Sequence, residues 1–192
     1  MIQWRYIEAF RQHLLRCGLG DGDDVVVLSE DDSRAELVET ARLAAGSVGA
    51  CVVDVVMRTP RSQHAVPIRS TGASQVVAGN EAIVSALAAV DLVIDCTVEG
   101  LLHAPELGQI LSGRSRVLMI SNEHLDTFDR LVWDDDLPRR VDLGHDRLRS
   151  AAVMHVTSSA GTDLTVTLGG AVTAGSTGVT NGPGSIAHWP GG

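Results

Sequence analysis

Histidines and carboxylates placed a few residues apart are the groups in this sequence that could move protons or hold a ligand. His103 and Glu106 stand three apart, and Glu123 is followed directly by His124. Both pairs follow apolar runs of strand length, DLVIDC and VLMI, so both fall where a parallel sheet presents the carboxyl ends of its strands. In open α/β sheets that edge is where ligand crevices lie. Two ligands of this kind do not make a metal site, which needs three or more in suitable geometry. Glu106 is accounted for by the favourable field at a helix N-terminus. Glu99 and His103 stay as candidate ligand contacts because they share the loop after LVIDC. No catalytic residue, metal or cofactor is assigned.

Two further constellations lie toward the C-terminus. Gly161-Thr162-Asp163 sits between two alternating segments, where glycine permits positive φ and the Thr and Asp side chains can bond turn amides. The other reading gives Asp163 a ligand's amine or guanidinium, since a carboxylate makes charge-assisted bonds to such groups. His188-Trp189-Pro190 follows a Gly-, Ser- and Thr-rich stretch. A tryptophan there is expected to dock on the domain or on a second copy of the chain. Alternatively, the extended segment holds a peptide by strand addition. Thr162, Asp163, His188 and Trp189 thus join Glu99 and His103 as candidate ligand-binding residues.

Several chemistries are excluded. The loop after VVVLSE lacks G-x-G-x-x-G, and a P-loop is impossible without lysine, all 15 basic residues being arginine. A net charge of -9 opposes binding to phosphate backbones. The three cysteines, Cys17, Cys51 and Cys96, lack metal-ligand spacing and read as reduced thiols. No apolar run could span a bilayer and the N-terminus lacks a signal-peptide pattern, so the expected location is cytoplasmic.

The elements that must position these groups follow from periodicity. Tyr6, Ile7, Phe10, Leu14 and Cys17 recur at helical spacing and Gly18 stops the helix. VVVLSE, CVVDVVM, LVIDC and VLMI read as strands of a mostly parallel sheet, with CVVDVVM as a second strand buried on both faces. Helices are expected at residues 34–47, 81–89, 106–111, 123–133 and 138–152, the first capped by Asp32-Ser33. Residues 58–80 read as irregular, with a short strand at 75–78. Alternation through His155 to Leu168 predicts a hairpin, and the Gly/Pro-rich tail is expected to stay extended and bury little. The fold class is therefore α/β, a mostly parallel sheet with flanking helices, a C-terminal β-hairpin and an extended tail. The domain spans residues 1–170 and the tail 171–192.

The run GTDLTVTLGG, the following N-x-P-G and the closing W-P-G resemble the segment joining the two domains of the thermophilic metallo-aminopeptidase (aminopeptidase T) family. Through DLVIDCTVEGLLHAPELGQIL and the H-W-P tail the sequence is also similar to the 2,5-dihydroxypyridine 5,6-dioxygenases. The resemblance implies that metal ligands lie in a C-terminal domain, beginning with an acidic residue just past the linker, which this sequence does not reach. Two functions follow from it. In one the chain is a non-catalytic protein that binds a peptide or partner protein, such as one presenting a precursor peptide to a modifying enzyme in peptide natural-product biosynthesis. In the other it is part of a metal-dependent aminopeptidase or ring-cleaving dioxygenase, with His103, His188 and Trp189 on the substrate side. Family likeness also implies a homodimer.

Overall fold

The computed structural model describes residues 2–61, 71–131, 133–180 and 182–190. It divides into two compact units, Met1–Val132 with Gly178–Gly191, and Trp133–Thr177. The expected irregular interval falls partly on residues 62–70, outside the described set.

The larger unit is built on a five-stranded parallel sheet. Its strands are β1 (Asp24–Glu30), β2 (Cys51–Met57), β3 (Leu92–Asp95), β4 (Arg116–Met119) and β7 (Ile186–His188), in the spatial order β2-β1-β3-β4-β7. Helices α1 (Trp4–Arg16), α2 (Ala35–Val48), α3 (Glu81–Ala88), α4 (Leu107–Leu111) and α5 (Asp126–Arg130) flank it. Successive residues of a strand face opposite sides, which explains the unbroken apolar run of β1. Val25 and Val27 enter one core with Phe10, Leu14, Leu37 and Ala41 of α1 and α2. Val26 and Leu28 enter the other with Val84 and Leu87 of α3 and Ile110 of α4. A strand covered on both faces needs consecutive apolar residues along its middle, as residues 25–28 of β1, 92–94 of β3 and 117–119 of β4 supply.

Two expectations about strands need correction. CVVDVVM does form a strand, but it is the sheet's edge and is largely open, with Val53 58% and Val56 65% exposed. The run of β-branched residues specifies the strand; its place in the sheet depends on α2 and α3, which return the chain to opposite sides of β1. Residues 75–78 form turns rather than a strand.

The tail departs from expectation in forming a strand, while its tryptophan docks on the domain as expected. Ile186–His188 pairs in parallel with Val117–Met119 as the fifth strand. Trp189 is 8% exposed, packed among Phe10, Phe128 and His13. Burial of that indole draws an otherwise weak strand onto the sheet.

Local details depart as well. Ser33 does not cap α2: its hydroxyl accepts the Glu30 N–H at 2.9 Å and donates to the Cys96 carbonyl at 2.8 Å, tying the ends of β1 and β3 together. The expected helix at 123–133 shrinks to α5.

The second unit contains α6 (Leu137–Ser150) and an antiparallel hairpin of β5 (Val153–Thr157) and β6 (Asp163–Thr167). None of the α6 residues is buried, and Val153, Val156 and Leu164 of the hairpin are exposed. His145 of α6 contacts the Thr173 carbonyl through Nε2 at 3.0 Å, fastening the following segment to the helix.

Candidate functional site

The chain runs from β1 to β2 on one side and then to β3 on the other, so the strand order reverses between β1 and β3. Crevices open at the carboxyl ends of strands at such a reversal. Two acids lie there, Glu30 closing β1 and Asp95 closing β3, with Glu30 4% and Asp95 0% exposed.

Asp95 organises the loop that follows it. One carboxylate oxygen accepts the Thr97 N–H at 3.0 Å and the Thr97 hydroxyl at 2.7 Å, and the other accepts the Leu101 N–H at 2.7 Å. Burial pushes its pKa up to about 6, against the lowering effect of those donors. Glu30 accepts the Val98 N–H at 2.6 Å, and burial raises its pKa too. Two buried carboxylates therefore hold one turn of loop by its amides.

Gly100 completes that turn. Its φ is +76°, and a Cβ there would lie 2.4 Å from Met119 Sδ and 2.7 Å from Ser121 Oγ. Ser121 itself, just past β4, has φ 56°, a left-handed conformation that is costly outside glycine. Its N–H and that of Ile120 both donate to the Asp95 carbonyl. Asn122 accepts the Arg34 N–H at 2.7 Å, and its carbonyl takes the Arg34 guanidinium at 2.9 Å. The ends of β1, β3 and β4 are thereby cross-braced.

Of the residues singled out in the sequence, Glu99 and His103 share this loop. Glu99 accepts the Thr71 N–H at 3.1 Å and its hydroxyl at 2.5 Å, while the exposed His103 donates its backbone N–H to the Gly72 carbonyl. His188 ends β7, half-buried, with its Nε2 unpaired among the described residues. Burial lowers its pKa and the nearby Glu123 carboxylate opposes that shift. Trp189 turns into the core. Glu106 precedes α4 without capping it.

Thr162 and Asp163 belong to the other unit. Asp163 bonds His155 across the hairpin at 2.6 Å, and the Ser158 hydroxyl donates to the Thr162 hydroxyl at 2.9 Å. These bonds fix the turn. Glu30, Asp95 and Ser121 escaped the sequence reading; the one available signal was acids ending otherwise apolar strands.

A family model for 2,5-dihydroxypyridine 5,6-dioxygenase matches residues 5–192. The chain belongs to the 2,5-dihydroxypyridine 5,6-dioxygenase family. A curated 2,5-dihydroxypyridine 5,6-dioxygenase from Pseudomonas putida KT2440 is 38% identical over 114 residues, which cover 59% of this chain and 32% of that protein. The solved structure of 2,5-dihydroxypyridine dioxygenase from Pseudomonas putida KT2440 superimposes with a TM-score of 0.79 at 30% identity, covering 96% of this chain. The match takes in 53% of that structure, so the chain spans about half its length. Among the described residues no three His, Cys, Asp or Glu side chains group so as to hold a metal ion. In the same residues, no helix is long and apolar enough to cross a membrane.

Proposed function

We propose that this chain is the sheet-bearing part of a ring-cleaving dioxygenase acting on a hydroxylated aromatic ring of the 2,5-dihydroxypyridine kind. The metal would be held by residues outside it. The observation that carries the reading is the family match over residues 5–192. The arrangement of the strands is compatible with it: the loop fastened by Glu30 and Asp95 carries Glu99 and His103 at the carboxyl end of β3, and His188 ends β7 at the same edge of the parallel sheet, with β4 between them. Those groups would orient ring hydroxyls by hydrogen bonding, with imidazole nitrogens accepting and carboxylates fixing the ring's register. Trp189 would act through packing. A role in presenting a precursor peptide draws no support from the proteins this chain resembles.

The test is made on the native polypeptide or assembly that carries this domain. It is purified from its host, sized by intact mass, loaded with divalent metals and given 2,5-dihydroxypyridine under labelled dioxygen. Loss of the ring chromophore with both labelled oxygen atoms in the product supports the reading. The proposal fails if metal-replete protein leaves the ring intact. His103→Ala and His188→Ala are expected to lower kcat/KM while Asp163→Ala leaves it near wild type.

A further inference from the structure

The sequence of β2 is that of a strand covered on both faces, yet the strand lies open at the edge of the sheet. In CVVDVVM, Val52 packs against the α1–α2 core while Val55 and Met57 pack against the α3–α4 core. Val53 and Val56 project outward, 58% and 65% exposed. The usual protections of an edge strand are proline, lysine, a bulge or a very short strand. None of these occurs in these residues, and the one charge on the strand is Asp54.

The backbone shows which groups are free. The Cys51 N–H donates to Asp23, and the Met57 carbonyl accepts from Asp31, so odd-numbered residues bond to β1. By alternation, Val52, Asp54 and Val56 direct their N–H and carbonyl groups to the open edge. Among the described residues no strand pairs there. Asp54 is at the centre of this set and exposed; Arg42, which feels its charge, holds Glu39 through two hydrogen bonds.

We propose that the outer edge of β2 binds an extended segment of a partner polypeptide by strand addition, with a basic residue of that segment opposite Asp54 and apolar residues two positions to either side. Asp54 selects this occupant over a second copy. An antiparallel two-fold pairing that used all of β2 would set Asp54 directly against its own counterpart, and like charges directly opposite are unfavourable. An arginine or lysine in that place gains a cross-strand ion pair. Its apolar neighbours would cover Val52 and Val56 on one face while the intervening residues cover Val53 on the other. The inference is independent of ring cleavage, because it uses neither the strand ends nor the loop after β3.

The test uses two labelled, end-blocked peptides of alternating valine and threonine, one with a central arginine and one with glutamate there. Fluorescence anisotropy is expected to show saturable binding of the arginine peptide, with the glutamate peptide about tenfold weaker. Asp54→Lys is expected to reverse that preference. Val56→Pro removes an outward N–H while leaving the β1 ladder intact, and is expected to abolish binding of both. Failure of the arginine peptide to saturate, or a preference indifferent to Asp54→Lys, overturns the proposal. So does a homodimer seen by analytical ultracentrifugation that Val56→Pro dissociates, which would assign the edge to a second copy.

Discussion

The imidazole of His13 lies flat on the indole of Trp189, with ring centroids 4.0 Å apart and planes 8° from parallel. Phe10 and Phe128 meet the same indole at 4.7 and 4.3 Å between centroids. One tail residue therefore joins α1, α5 and the edge strand β7.

Trp189→Ala is expected to cost about 3–5 kcal/mol, as large aromatic deletions in cores do. Urea denaturation measures it. Because the indole holds β7 on β4, amide exchange at Ile186–His188 should quicken in the same variant, and Trp189→Phe should recover much of both effects.

His13 is buried, and desolvation lowers its pKa from 6.5 to about 4. The unfolded chain takes up this proton near pH 6.5, whereas the folded protein resists it until about pH 4. Stability is thus present above pH 6.5 and is lost as pH falls toward 4, by about 3 kcal/mol in all. Asp95 acts in the opposite sense, because its raised pKa makes ionisation costly as pH climbs from 3.8 to about 6. Comparing the pH profile of wild type with that of His13→Gln isolates the histidine: the gap in stability should shrink on acidification.

Asp95→Ala would strand the buried N–H groups of Thr97 and Leu101 and should cost about 2–4 kcal/mol. Hydrogen exchange over residues 97–101 reports where the loss falls. If the variant exchanges there at wild-type rates, the carboxylate is not what fastens the loop.

Gly100→Ala places a Cβ against Met119 and Ser121 in a left-handed conformation, and a loss of about 2–4 kcal/mol is expected. Gly22→Ala is the matched control, since its φ is +79° with no atom within 4 Å of the added carbon. Its cost should be about 1–2 kcal/mol, from backbone strain alone. Thermal melts of the two variants separate steric collision from conformational preference.

Much of the fold could be read from periodicity. The spacing of Phe10, Leu14 and Cys17 predicted α1, and the runs through Val26 and Val93 predicted strands covered on both faces. Periodicity reports which residues seek cover but not whether a neighbour arrives, which is why β2 read as buried. Ile186–His188 was missed for a related reason: three residues among glycines carry no period, and their pairing depends on β4, far away in sequence. The loop holding Glu99 and His103 was legible as the segment after a parallel strand. The acids that fasten it were not, because Glu30 and Asp95 resemble ordinary polar stops until burial and bonded amides give them a role.

The strand β7 joins a sheet whose preceding strand ends at Met119, with the whole Trp133–Thr177 unit intervening. During synthesis, β1 to β4 can pair while the His13 side of the core still lacks its indole. The ribosome must add some seventy residues before Trp189 arrives to fill that gap. Closing so long a loop costs little more entropy than closing a shorter one, since each doubling adds only about 0.6 kcal/mol. The intervening unit can therefore lengthen or shorten over evolution without greatly changing equilibrium stability. The cost is one of timing: until its last strand docks, the nascent domain displays an unfinished β4 edge, and chaperones have that interval in which to act.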